Sequence, residues 1–377
     1  MFAVAGIVCG AVLLTILLIL IWLLSPGTTI TVGEKDWPMQ GGGPAHLSYL
    51  SLAPGAQIRE IWGTRLEGEP AGPPAVAGGR VYVACGNGHL YCLDLATGRP
   101  LWKHDAGGSI TSMPAVFERG ILLAIADGRV RSVSPEGKFA WEAEVGGAVS
   151  SSPIPDGGSV FFGSADHHLY CLDAGDGDVK WSFRAEGPVE VSPCVYDGQV
   201  FGVSYEGDLF ALEAGSGRLV WTFQSHGVPV SAPVADDGRI FLSTEFETFC
   251  LDSQSGKLLW EYATGPTVIS NPALRGNQLI LAVGGEGLLS NTLSLDARTG
   301  DKLWSVASGI TSSRTWLFAT NQYVYLSGMD RLAALSTESG GPAFEVEIGG
   351  VLPQTLTMTE ERVLVATQNR KVHCYAE

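Results

Sequence analysis

Carboxylates precede glycines at matched places along this chain, so the first question is whether they do chemistry. Asp94, Ser134, Asp173, Glu213, Asp252, Asp296 and Ser336 each stand three or four residues before Gly98, Gly137, Gly177, Gly217, Gly256, Gly300 and Gly340. Taken singly, an acid before a tight turn could ligate calcium through oxygen or act as a general acid or base. Seven similar turns cannot all be one active site. Short polar side chains accept hydrogen bonds from turn amides and glycine takes the left-handed angle, so the period favours a structural role.

The same test applies to the other reactive types. A third-strand position reads Cys92, Ser132, Cys171, Ala211, Cys250, Ser294, Ala334 and Cys374, small in every case, which points to a tight gap inside a core. Cys194 also reads as core, and Cys85 stands nearest a turn. No CxxC pair or Cys/His spacing indicates a metal site, and the seven cysteines do not suggest a disulfide framework. His167-His168 falls in a hairpin turn, where solvation is the alternative to metal ligation. Phosphate-cradling, nucleophile-elbow and His-Glu-x-x-His motifs are absent from the sequence.

The elements that carry these residues are repeats. Trp62, Trp102, Trp141, Trp181, Trp221, Trp260 and Trp304 follow one another at steps of 40, 39, 40, 40, 39 and 44 residues, and Phe344 takes the next place 40 residues on. Each step has room for four short strands and four turns. One aromatic per repeat at one place predicts packing against the neighbouring repeat; tryptophans stacking on a sugar or quinone would have to line a cleft, which their even spread opposes.

Within a repeat, a first strand carries proline, as at Pro114, Pro153, Pro193, Pro233 and Pro272, which suits the innermost edge of a sheet. Asp156-Gly157, Asp197-Gly198 and Asp237-Gly238 then signal tight hairpins. Apolar second strands, a third strand of the Leu-Tyr-Cys-Leu-Asp type and the strand with tryptophan complete the unit. Three strands lack a fourth at the end of the sequence, and Ile58 to Leu66 reads as one strand lacking three at its start. The expected fold is all-β: an eight-bladed β-propeller of four-stranded antiparallel blades over 58–377, closed by that N-terminal strand.

Composition bounds the partners. A formal net charge of −16, with no basic stripe, argues against nucleic acid. Phe2 to Leu24 is apolar and free of ionisable side chains, long enough as a helix to span a bilayer. Residues 1–27 are therefore expected to form a transmembrane helix or signal anchor, contacting lipid through residues 2–24. Cleavage as a signal peptide is the alternative, although no basic start or small-residue cleavage site marks it. Residues 28–57, rich in Gly and Pro, read as a linker and lead-in segment. Charge alone does not encode orientation, because Lys35 is the first cation.

Leu90 to Trp102, reading Leu-Tyr-Cys-Leu-Asp-Leu-Ala-Thr-Gly-Arg-Pro-Leu-Trp, and its near copies at Leu169 to Trp181 and Leu293 to Trp304 resemble the repeat of pyrroloquinoline quinone propellers. Asp36-Trp37-Pro38 also resembles the opening of such chains. Two branches of that family differ in what they imply. The dehydrogenases bind the quinone and calcium and use a vicinal disulfide, whereas this sequence has no adjacent cysteines. The cofactor-free branch, the BamB-type accessory proteins of outer-membrane β-barrel assembly, is similar in length, blade number and short turns. Those proteins are usually lipid-anchored through a cysteine, unlike the uninterrupted apolar segment here.

The resemblance therefore implies an exported, membrane-anchored, non-enzymatic scaffold without cofactor, its propeller on the periplasmic or extracellular side and its partner a protein of the cell envelope. A quinone-dependent dehydrogenase is the alternative. Turns between second and third strands should share one face. There Glu206, Asp208, Glu245 and Glu247 form an acidic sector, and Arg129, Arg331, Arg370 and Lys371 a basic one, an arrangement that could orient a partner; ordinary solvated turns are the alternative. The long step of the sixth repeat predicts a hairpin exposing Leu288 and Leu289 as a further contact site, with folding back onto the blade as its alternative.

Overall fold

The computed structural model describes residues 29–33, 39, 42–51, 55, 57–265, 267–284, 289–311, 316–327, 331–347 and 353–377. Eight four-stranded antiparallel sheets succeed one another around a ring. Blades one to seven cover 75–105, 115–144, 154–184, 194–224, 234–263, 273–311 and 317–347. Blade eight combines 353–376 with the strand Arg59–Arg65, which pairs with Lys371–Ala376 from Arg59↔Ala376 to Arg65↔Lys371. The ring is closed as the repeat count requires, by hydrogen bonds between segments more than 300 residues apart in sequence.

Second and third strands are buried on both faces, since each blade is sandwiched by two others. Fourth strands form the outer wall and alternate exposed with half-buried positions. The small third-strand residues lie opposite the aromatics of the fourth strand: Cys171 pairs with Trp181, Cys250 with Trp260 and Ala334 with Phe344. On its other side Cys171 pairs with Phe161, and the Phe161 and Trp181 rings converge to 5.9 Å between centroids. A small residue is needed there because rings from both neighbouring strands cover it.

Two local expectations change. The prolines immediately precede the first strands, such as Cys194–Tyr196, instead of lying within them. The turn expected at Asp156-Gly157 is centred on Gly157 and Gly158, with Asp156 ending its strand, whereas Asp197-Gly198 and Asp237-Gly238 do occupy the two positive-φ positions. In blade six the added residues lengthen the strands Gln278–Gly284 and Leu289–Asp296. Leu289 opens the second of these and pairs with Thr311; Leu288 lies outside the described residues.

Residues 42–51 do not hang free as a linker. They run along the inner ring as a strap, its carbonyls at Pro44, Ala45, Leu47 and Ser48 accepting the amides of Val195, Ala235, Leu274 and Ala319 at 2.9 to 3.1 Å. Those amides belong to the innermost strands of blades four to seven and have no sheet partner on that side, so the strap satisfies donors that burial would leave unpaired. The apolar segment 2–24 and Asp36-Trp37-Pro38 lie outside the described residues; among those described, no helix is long and apolar enough to cross a membrane.

Candidate interaction face

Antiparallel strands put the second-to-third turns and the blade-to-blade connectors on one end of the ring, and the first-to-second and third-to-fourth turns on the other. The first end surrounds a funnel of about 560 Å³ on the ring axis, lined by the connectors that enter blades one to seven and by Thr355 of blade eight. Hydroxyl side chains dominate the lining, among them Ser112, Ser152, Ser192, Ser231, Ser270 and Thr355. Trp316 and Asn271 join them, and Glu190 is the one ionisable side chain among the described lining residues.

The other end carries the repeated polar turns, and there the acids are structural. Asp94 Oδ1 accepts the Thr97 amide at 2.8 Å and its hydroxyl at 2.6 Å, bonds that hold the Asp94 carboxyl below the usual range. Asp252 repeats the pattern with Ser255. Each turn then receives a tryptophan from the preceding blade. Seven indole Nε1 groups, from Trp62 to Trp304, donate to the carbonyls of Leu95, Pro135, Ala174, Ala214, Ser253, Ala297 and Thr337 at 2.9 to 3.1 Å. The tryptophans are seams between blades, as their period predicts.

The cysteines are likewise structural. Cys85, Cys92, Cys171, Cys194, Cys250 and Cys374 are free and buried, Cys85 as deeply as the rest despite its place beside a turn. Burial pushes the thiols of Cys85, Cys92, Cys250 and Cys374 up to about 12, which keeps them protonated and unreactive. His167 and His168 do not converge with other ligands: His168 Nδ1 meets the Asp166 carbonyl at 2.9 Å and His167 Nδ1 the Glu186 carbonyl at 3.2 Å. Among the described residues no group of three His, Cys, Asp or Glu is arranged to hold a metal.

On the funnel face the two charge sectors differ. Arg129 is tied to Asp127 at 2.6 Å and Glu142 at 3.2 Å, and Arg331 to Glu345 at 3.0 Å, so much of the basic sector is neutralised locally. Arg370 is exposed, with one long contact of 3.4 Å to the Glu67 carbonyl, and Lys371 pairs in the ring-closing strand. No ion pair with Glu206, Asp208, Glu245 or Glu247 occurs among the described residues. The acidic sector thus has no neutralising cation among the described residues; Asp208 Oδ2 accepts the Ser204 hydroxyl at 3.2 Å.

Two residues of that sector escape sequence reading. Tyr205 is 54% exposed beside Glu206, and Phe246 is 52% exposed between Glu245 and Glu247. Their turns are neighbours, because the connector between blades four and five bonds to both: Ser225 N to the Gly207 carbonyl at 3.0 Å and Glu245 N to the Val228 carbonyl at 3.1 Å. Blades one to three hold Gly86, Ala126 and Ala165 at the place of Tyr205, so the signal was a local break in the repeat.

Fold, seams and closure define an eight-bladed propeller of four-stranded antiparallel blades. A family model described as outer membrane protein assembly factor BamB matches residues 52–124, 126–232, 225–312 and 290–376, and the chain belongs to that family. It is 29% identical over 138 residues to the outer membrane protein assembly factor BamB of Bordetella pertussis, a match covering 36% of this chain and 35% of that protein. The matched stretch thus spans about a third of that relative's length.

Among solved structures, BamB from Moraxella catarrhalis superposes with a TM-score of 0.72 at 15% identity, covering 85% of this chain and 100% of that one. The quinohemoprotein alcohol dehydrogenase of Comamonas testosteroni does so with a TM-score of 0.78 at 15% identity, covering 91% and 80%. Both likenesses concern the fold.

A pyrroloquinoline quinone, being a polycarboxylate, would call for cations in the funnel, and its calcium for clustered oxygen ligands. The described lining offers hydroxyls and the single carboxylate of Glu190, with no cation. These residues do not fit the group.

Proposed function

We propose that this protein is a membrane-anchored, exported scaffold that binds a protein partner of the cell envelope, in a role like that of BamB in outer-membrane protein assembly. Residues 2–24 hold it at the bilayer, and the funnel face on blades four and five meets the partner. Family membership supports the class of function, and the placing of Tyr205 and Phe246 beside carboxylates that make no ion pair among the described residues carries the choice of face. Exposed aromatics are costly to leave in water, and at interfaces they are the side chains that dominate affinity. Carboxylates around them select a partner surface carrying Lys or Arg and raise its rate of encounter.

The experiment is crosslinking in cell envelopes with the full chain, its Tyr205→Ala/Phe246→Ala variant and its Glu245→Lys/Glu247→Lys variant. The expected result is one protein partner captured by the parent and lost from both variants at unchanged melting temperature. Undiminished capture by both variants would discard this face. Incubation with calcium and the quinone, followed by a dye-linked alcohol oxidation assay, tests the dehydrogenase alternative; turnover there would overturn the scaffold reading.

A further inference from the structure

We infer that the ring lies with its polar-turn end toward the bilayer and its funnel end turned away, so that the acidic sector meets the extramembrane part of its partner. This rests on the reading of residues 2–24 as a membrane anchor. The route of the chain into the propeller carries the rest.

Ile30 is 5% exposed within the core, and its amide donates to the Glu118 carbonyl in the first-to-second turn of blade two at 2.8 Å. The carbonyl of Thr31 lies against Gly78 in the corresponding turn of blade one. Farther along, Tyr49 Oη donates to Asn321 Oδ1 at 2.9 Å and Ser51 Oγ to Glu360 Oε1 at 2.7 Å, both in first-to-second turns. All these contacts are on the polar-turn end, at its inner ring. The chain is thus fastened to the polar-turn end at Ile30 and Thr31, where it first meets the propeller, and again at Tyr49 and Ser51.

Reach then decides orientation. Five residue steps separate Leu24 from Thr29, and even fully extended they span at most about 18 Å. Four strands spaced by about 4.8 Å make a blade about 15 Å across, and strands of six residues make it about 20 Å tall. Seating the funnel end on the bilayer would take the chain either along the axis past the strap, about 20 Å, or outward over a blade and up its full height, about 35 Å in all. Both exceed the available length, the second about twofold. With the polar-turn end toward the membrane, the tether needs no detour, and Tyr205 and Phe246 stand about 20 Å or more above the headgroups.

The buried thiols make a direct test practical, since a cysteine introduced at the surface is the one that labels. In a Cys9→Ser background of the full chain, reconstituted in phosphatidylcholine vesicles carrying a headgroup-linked energy acceptor, a donor dye is placed by Ala96→Cys on the polar-turn end or by Ala126→Cys on the funnel end. Gly215→Cys and Gln368→Cys form a second pair, one at each end, should either first variant misfold. The expected result is at least a twofold greater energy-transfer efficiency from position 96 than from 126, and from 215 than from 368. Equal transfer, or greater transfer from the funnel end, with the protein floating on the vesicles, would overturn the orientation alone. Failure of the full chain to float with vesicles would overturn the anchor reading and the orientation together.

Discussion

The indole of Trp181 fills the space that a side chain at Gly217 would need. A β-carbon on Gly217 would lie 2.6 Å from indole Cδ2, and the same indole donates its Nε1 hydrogen to the Ala214 carbonyl three residues earlier at 3.0 Å. The glycine is required twice over, by its φ of +69° and by the ring packed onto it. The same relation joins Trp62 to Gly98, Trp102 to Gly137, Trp141 to Gly177, Trp221 to Gly256, Trp260 to Gly300 and Trp304 to Gly340. A motif that reads as a turn within one blade is the socket for the blade before it.

Two glycines of blade four separate backbone strain from packing. Gly198 has a φ of +74°, and a β-carbon there would meet nothing within 4 Å, so Gly198→Ala should cost about 1 kcal/mol. Gly217→Ala adds the collision with Trp181 and should cost about 2 to 4 kcal/mol. Denaturant unfolding of both variants decides the matter; equal losses would show that the socket yields.

The eighth seam explains its aromatic. Third and fourth strands of blade eight come from opposite ends of the sequence, so no hairpin turn links them, and the residue facing that gap is Phe344, with no N–H to satisfy. Phe344 packs instead on Tyr323 and Tyr325, at centroid distances of 5.2 and 6.1 Å. Trp181→Phe should therefore lose about 1 kcal/mol with its hydrogen bond, whereas Phe344→Trp should gain no stability. A stabilised Phe344→Trp protein, measured by thermal melting, would contradict this account of the seam.

Closure by Arg59–Arg65 makes that strand the clasp of the ring. Deleting Ile58 to Leu66 should lower the melting temperature far more than deleting Gly27 to Gly33, although Ile30, buried in the core, gives the second deletion a cost of its own. Equal melting temperatures would refute the clasp.

His46, in the strap, is 3% exposed and makes no good side-chain hydrogen bond. Burial lowers its pKa from 6.5 to about 4, and the Pro233 carbonyl offsets only part of that. Between those values the unfolded chain binds the extra proton, so His46 lowers stability as pH falls, by about 2 kcal/mol at pH 5. His46→Leu should lose that share of the difference in unfolding free energy between pH 7 and pH 5. An unchanged difference would mean that the ring is hydrated.

The six described thiols should resist maleimide in the native protein and react once it is unfolded, because burial disfavours the thiolate. Native-state modification of any of them, read by mass spectrometry, would show that a blade opens.

The period of tryptophan, the alternation of apolar strands and the polar turns determined blade number, closure and the structural role of the repeated acids, because a repeat exposes its own logic wherever the same side chain must meet the same neighbour. Whether a charge stands free was decided only by the fold. Arg129 meets Asp127 two residues away but also Glu142 across a strand pair, and no spacing rule announces that both pairings form. Likewise nothing in the spacing says that Phe246, between two turn acids, faces water, and residues 42–51 read as a linker and lead-in until unpaired amides of four separate blades converge on them. Contacts repeated along the chain are written in its periodicity; contacts made once, between distant segments, depend on where the closed ring brings them.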